Sequence, residues 1–167
     1  VPVENYLDRR VMFGVDLGRS LPIIASRGCP YKCTFCTSPY MWGTLWRVRS
    51  PRQLLDEIIH YMDIYDVTNF DFYDLTAIVN KSWIVKFCTL VIESSVEFTW
   101  QMPSGTRSEA IDAKVSRLLY RSGCRFMNYS PETGSVEIQK LIKKNVTNRT
   151  MVRSMREAVR NNLGIKA

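Results

Sequence analysis

The stretch "LPIIASRGCPYKCTFC", residues 21–36, joins a strand-length apolar run to a loop carrying three cysteines. Leu21 to Ser26 reads as a strand, and Arg27-Gly28 bounds it. Cys29, Cys33 and Cys36 follow, so the thiols lie on the loop that leaves the strand. Gly28 and Pro30 suit a tight turn beside the first thiol. An odd number of crowded thiols fits neither a disulfide framework nor a closed zinc site.

Downstream, short apolar runs alternate with helical patterns. "SPRQ" (50–53) opens a helix: Ser50 caps it, Pro51 fits the first turn and Gln53 completes a capping box. Leu54, Leu55, Ile58, Ile59 and Met62 line one face of that helix. "NFDFYD" (69–74) is a second strand, and a helix from about Lys81 to Ser94 buries Ile84, Phe87, Cys88 and Val91. "EFTWQM" (97–102) is a third strand, followed by a helix carrying Ile111, Val115, Leu118 and Leu119 that stops at Gly123. "CRFMNYS" (124–130) is a fourth, helical stretches cover 135–144 and 149–162, and Gly164 leads into the start of a fifth.

This alternation predicts an α/β fold with a parallel sheet and right-handed crossovers. A closed eight-stranded barrel needs about 250 residues. A chain of 167 is therefore expected to form a partial (β/α) TIM-type barrel: about four βα units plus the start of a fifth strand. Residues 1–20 read as a linker from a missing upstream domain, and 21–167 as the core, incomplete at its C-terminus.

The 46% apolar and 23% charged fractions are those of a soluble globular protein. No stretch approaches the roughly 18 apolar residues of a membrane span, and the first twenty residues are too charged for a signal peptide. Crowded thiols suit a reducing cytoplasm. The net charge of +7 is spread over the helices without an aromatic-plus-basic signature, so nucleic acid is not an expected partner. A basic face suits an acidic electron-transfer protein equally, and a solvated surface is the favoured reading of the charge.

In such a sheet, ligands bind at the carboxyl ends of the strands, where the cysteine loop lies. Zinc there needs a fourth ligand. Cys88 belongs to the buried stripe of its helix. Cys124 opens the fourth strand, about 20 Å away at ~3.3 Å per residue. His60 shares a polar helix face with Gln53, Asp56 and Asp63. No fourth protein ligand emerges. A 4Fe–4S cluster ordinarily takes four thiolates, so three leave one iron open. A zinc-binding structural or nucleic-acid-binding domain, completed by a ligand from elsewhere, stands as the alternative.

"GCPYKCTFC" (28–36) resembles the CxxxCxΦC signature of the radical SAM superfamily, with Phe35 as the aromatic. The resemblance implies that Cys29, Cys33 and Cys36 hold a 4Fe–4S cluster whose fourth iron chelates S-adenosylmethionine. An electron then cleaves the S–C5′ bond to give a 5′-deoxyadenosyl radical, while the protein places the reactants and excludes water. "MWGTLWRVRSP" (41–51) and "FYDLTAIVNK" (72–81) resemble the subgroup that often carries an upstream cobalamin-binding domain. That likeness puts Asp74 against the SAM amino group, although Leu75 stands where the subgroup often has a second acid.

"SGTR" (104–107) and "SPETGS" (130–135) resemble the subgroup's next two strand ends. They imply that Glu132 reaches SAM polar groups and that Arg107 pairs with Glu132 or the SAM carboxylate. Ser130-Pro131 replaces a more usual Gly-Ile. Phe35 is expected near the adenine. "IKKNVT" (142–147) also matches the family and receives no role. The resemblance implies methyl transfer or cyclisation of a small molecule, cobalamin through an absent domain, and a flavodoxin or ferredoxin as reductant. A methylthiotransferase is the less favoured alternative within the superfamily.

Overall fold

A computed structural model describes residues 2–12, 15–107 and 109–167. Among them the strands are β1 (Asp8–Met12), β2 (Val15–Ile23), β3 (Ser26–Arg27), β4 (Arg47–Val48), β5 (Asn69–Phe72), β6 (Thr99–Thr106), β7 (Cys124–Tyr129) and β8 (Gly164–Lys166). The helices are α1 (Ser38–Trp42), α2 (Pro51–Tyr65), α3 (Lys81–Ser94), α4 (Ala113–Arg121), α5 (Val136–Leu141) and α6 (Asn148–Arg160). A six-stranded sheet runs in the order β1-β2-β5-β6-β7-β8. β1 is antiparallel to β2, and every later pair is parallel. The result is the expected partial barrel, with helices on its outer face.

The helices start where side chains offer acceptors to unpaired N–H groups. The Ser50 hydroxyl accepts from Gln53 N at 3.4 Å, and the Asn80 amide oxygen accepts from Ser82 N at 2.8 Å and Trp83 N at 3.2 Å. Asp112 caps α4 through Val115 N at 2.9 Å. Between sheet and helices lies the apolar layer. Phe72 meets Phe87 of α3 at 5.8 Å and Trp100 of β6 at 4.8 Å between ring centroids, and Trp83 stacks on Phe87 at 5.7 Å. Leu54, Leu55 and Ile58 of α2 and Leu119 of α4 are fully buried in the same layer.

Strand alternation sends the neighbours of these residues to the other, concave face. There Asn69, Asp71 and Gln101 are buried polar groups. Asp71 accepts from Asn69 Nδ2 at 3.1 Å and from the Gln101 amide, and Arg10 of β1 reaches across to it at 2.6 Å. The concave face is thus lined by hydrogen-bonded polar side chains at this level.

Two boundaries depart from the sequence expectation. Residues 1–20 were expected to be a linker, yet 8–12 and 15–20 are paired strand, with Val3–Tyr6 forming a 3-10 turn before them. The backbone of β1 pairs with β2, and Arg10 finds a partner for its charge in Asp71 across the sheet, so a basic segment is accommodated there. The first parallel strand also starts earlier and ends at Ile23; Ser26 and Arg27 leave it to pair with Val48 and Arg47.

Candidate active site

Every candidate residue follows the carboxyl end of a parallel strand. The cysteine loop comes after β2, Asp74 after β5, Arg107 after β6 and Glu132 after β7. One rim of the sheet therefore gathers all of them, as parallel topology requires.

The loop begins with Gly28, whose φ is +83°. A Cβ there would lie 2.3 Å from the carbonyl oxygen of Leu45. Only glycine both adopts this turn and lets the returning chain pass. Cys29, Cys33 and Cys36 are all half-buried and unbridged. Cys36 N donates to Cys33 O at 3.1 Å, which curls the loop. The Cys36 sulfur accepts from Ser38 N at 3.4 Å, and the Cys29 sulfur accepts from the Tyr31 N–H. Burial pushes the Cys29 thiol up; the Tyr31 N–H and the Arg107 charge pull it back, while Cys33 and Cys36 push it further up by charge. Cys29 therefore lies within electrostatic reach of both other thiols.

Among the described residues, no group of His, Cys, Asp or Glu side chains is arranged to close on a single metal ion. Tetrahedral zinc would require sulfurs about 3.8 Å apart, from Zn–S bonds of about 2.3 Å. Thiolate ligands on different irons of a polynuclear cluster stand farther apart. Three unbridged thiols on one short loop, with N–H groups aimed at two of them, offer the donor set of such a cluster, whose electronics respond to hydrogen bonds at sulfur. The buried hydroxyls of Thr76, in the loop after β5, and Thr106, at the end of β6, have no partner among the described residues.

The other candidates have contacts within the chain, and one expected pairing is not formed. Asp74 is 1% exposed, and its carboxylate accepts from Ala25 N at 3.2 Å and from the Ser26 N–H and hydroxyl. Burial raises its pKa, against the lowering effect of these hydrogen bonds. Asp74 thus brackets the segment leading into the cysteine loop, and its oxygens are turned toward the chain itself. Arg107 does not pair with Glu132. Its guanidinium lies 3.5 Å over the Tyr31 ring, donates to Lys144 O at 2.9 Å, and pairs with Glu109, Nε donating at 3.0 Å. Glu132 instead accepts from Lys144 Nζ at 2.8 Å. It sits at φ +61°, the centre of a γ-turn closed by Thr133 N to Pro131 O at 2.7 Å. The Ser130-Pro131 replacement thus leads into a left-handed glutamate. Phe35 is 54% exposed on the rim, with Lys144 Nζ 5.8 Å from its ring centre.

Sequence reasoning missed Tyr31 and Lys144. Tyr31 stood between two cysteines, and Lys144 lay in a segment singled out without a role. Cys88 and Cys124 are fully buried, their thiols pushed up by desolvation, Cys88 to about 12. His60 is exposed. A cavity of about 710 Å³ opens along β2 beside Arg27, Arg47 and Tyr61, and none of the candidate residues lines it. No helix among the described residues is long and apolar enough to cross a membrane.

Comparison with known proteins bears on the family and the fold. An uncharacterized methyltransferase of Pyrococcus horikoshii is 27% identical over 160 residues, covering 95% of this chain and 32% of the relative. The anaerobic magnesium-protoporphyrin IX monomethyl ester cyclase of Synechocystis is 30% identical over 137 residues, covering 79% of this chain and 27% of the cyclase. The chain therefore spans about a third or less of the length of these curated relatives. Among solved structures, the radical S-adenosylmethionine methyltransferase TsrM of Kitasatospora setae, with cobalamin and a 4Fe–4S cluster bound, superposes with a TM-score of 0.75. It is 16% identical, and the match covers 86% of this chain and 27% of that one, a likeness of fold. The family pattern described as the radical SAM superfamily matches residues 23–166, from the end of β2 to β8. With that match over most of its length, the chain belongs to the radical SAM superfamily, whose members use a 4Fe–4S cluster and S-adenosylmethionine.

Proposed function

We propose that this chain is the core of an enzyme that reductively cleaves S-adenosylmethionine and uses the resulting radical for methyl transfer or cyclisation of a small molecule. Cys29, Cys33 and Cys36 would hold the cluster, which supplies one electron to the S–C5′ bond when bound. The observation that carries this reading is the placement of three half-buried, unbridged thiols on one loop at the carboxyl rim of a parallel sheet. Methyltransferase and cyclase names among the relatives support the choice of reactions, and a cobalamin supplied by another part of the protein fits the TsrM likeness.

The chain's own residues set the conditions for that chemistry. Gly28 fixes the entry of the loop, and Asp74 holds the strand segment behind it. Phe35 presents an apolar ring where an adenine could stack. The Glu132 carboxylate remains partly exposed on the rim, at 35%, so it is assigned to polar groups of the bound cofactor. An acidic flavodoxin or ferredoxin would deliver the electron to this net-basic chain.

The test is anaerobic reconstitution with iron and sulfide. A brown protein containing iron, and a colourless Cys33→Ala variant with an unchanged far-UV spectrum, are the expected results. Zinc-loaded, colourless wild-type protein would refute the proposal in favour of the structural-zinc alternative.

A further inference from the structure

We infer that Arg107 and residues 142–145 form a clamp that holds the cysteine loop in shape from outside, without using the thiols. The inference deepens the proposed function, because the shape matters only if the loop takes a cluster.

The loop residues between Cys29 and Cys36 include Tyr31, Thr34 and Phe35, and each meets this clamp. Thr34 N donates to Ile142 O at 3.0 Å. Tyr31 carries the Arg107 guanidinium on its face at 3.5 Å, a distance at which the cation and ring quadrupole attract. Lys144 extends toward Phe35, 5.8 Å from its ring centre, while its ammonium is held by Glu132 at 2.8 Å. Arg107 is 8% exposed and ties the two sides together, donating to Lys144 O at 2.9 Å and to Asn145 O at 3.3 Å.

The carbonyls can be reached because Lys143 and Asn145 both adopt φ +52°, an αL turn after α5. Two non-glycine residues in that region need surrounding structure to hold them. Arg107 supplies some of it, so the arginine and the left-handed turn hold each other. Arg107 is accordingly a positioning residue: its donors are committed to Glu109 and to backbone carbonyls, and its flat face to Tyr31.

The readout is hydrogen exchange at the Thr34 amide in the full chain without metal, for wild type, Arg107→Leu, Tyr31→Leu and Tyr31→Phe. Arg107→Leu and Tyr31→Leu are expected to speed exchange on the order of tenfold. Tyr31→Phe keeps the ring and should exchange as wild type does. The double leucine variant should exceed the faster single by less than the product of the two effects, since both remove one shared contact. After anaerobic reconstitution, the reduced cluster of Tyr31→Leu should show an altered electron paramagnetic resonance signal. Unchanged exchange in the leucine variants, or a Tyr31→Phe as fast as Tyr31→Leu, would overturn the clamp. If Arg107→Leu fails to fold, the Tyr31 pair carries the test, because it leaves the bonds of Arg107 to 144 and 145 in place. Wild-type protein that takes up no iron would refute the proposed function and leave the exchange result standing.

Discussion

Replacing Asp74 with asparagine tests how the rim is held, and the sign of its pH dependence follows from burial. The carboxylate is 1% exposed and accepts from Ala25 N, Ser26 N and the Ser26 hydroxyl. Asparagine keeps one oxygen for Ser26 and turns an NH2 group toward the Ala25 N–H, donor against donor. Losing one hydrogen bond to a charged group costs about 1.5–3 kcal/mol. Removing a buried charge offsets part of that loss. Because burial raises the Asp74 pKa, the folded chain holds the proton more tightly than the unfolded chain. The wild-type contribution is therefore fully present below the unfolded pKa and declines as pH rises through the folded one, by about 1.4 kcal/mol per unit of separation. Asp74→Asn lacks this component.

The variant should accordingly be destabilised most near pH 4.5 and least near pH 7, measured as the difference from wild type in urea melts followed by tryptophan fluorescence. Asp16 and Asp112, held below the usual carboxylate range by Arg9 and Lys81, give the opposite slope, but they are common to both proteins and cancel. A destabilisation that is equal at both pH values, or larger at pH 7, would refute the reasoning: the hydrogen bonds from Ala25 and Ser26 would then outweigh burial.

Three further changes probe other parts of the argument. Gly28→Ala puts a Cβ 2.3 Å from Leu45 O at a left-handed φ, so stability should fall by about 1–3 kcal/mol and iron incorporation should drop; an unaffected variant would show that the chain does not pass there. Phe87→Ala opens a cavity among Trp83, Phe72 and Trp100 and should cost about 3–5 kcal/mol in urea melts, with a loss under about 1 kcal/mol contradicting the packing. Asn80→Ala removes the cap of α3 and should cost about 1 kcal/mol by thermal melting, while Asn80→Asp stays near wild type.

Local features made much of the fold legible in the sequence. The helix over 81–94 lies where expected because Asn80 caps it and the stripe through Ile84, Phe87, Cys88 and Val91 faces the sheet. The strand before the cysteines and the alternation of elements fixed which rim bears the loop. Long-range partners were not legible. "DRRVM" (8–12) looks like a solvated segment until Arg10 meets Asp71, and charged residues are what an edge strand tolerates. β6 runs on to Thr106 through "PSGT", a turn signal by composition, because an irregularity in its pairing with β7 absorbs Pro103 and Gly105. At the candidate site, the positions of the thiols, Asp74 and Glu132 just past strand ends were readable, because the short runs before them read as strands. The stacking of Arg107 on Tyr31 was not, since no spacing rule links a strand-end arginine to a loop tyrosine so far upstream.

The outside support of the cysteine loop has a bearing on repair. A segment already fixed by a glycine turn, an arginine stacked on Tyr31 and a hydrogen bond from the Thr34 N–H to the Ile142 carbonyl has little freedom left to surrender when it takes up a ligand. The ordering is met once, when the polypeptide folds. After oxidative damage strips out the inorganic group, such a chain needs refilling rather than refolding.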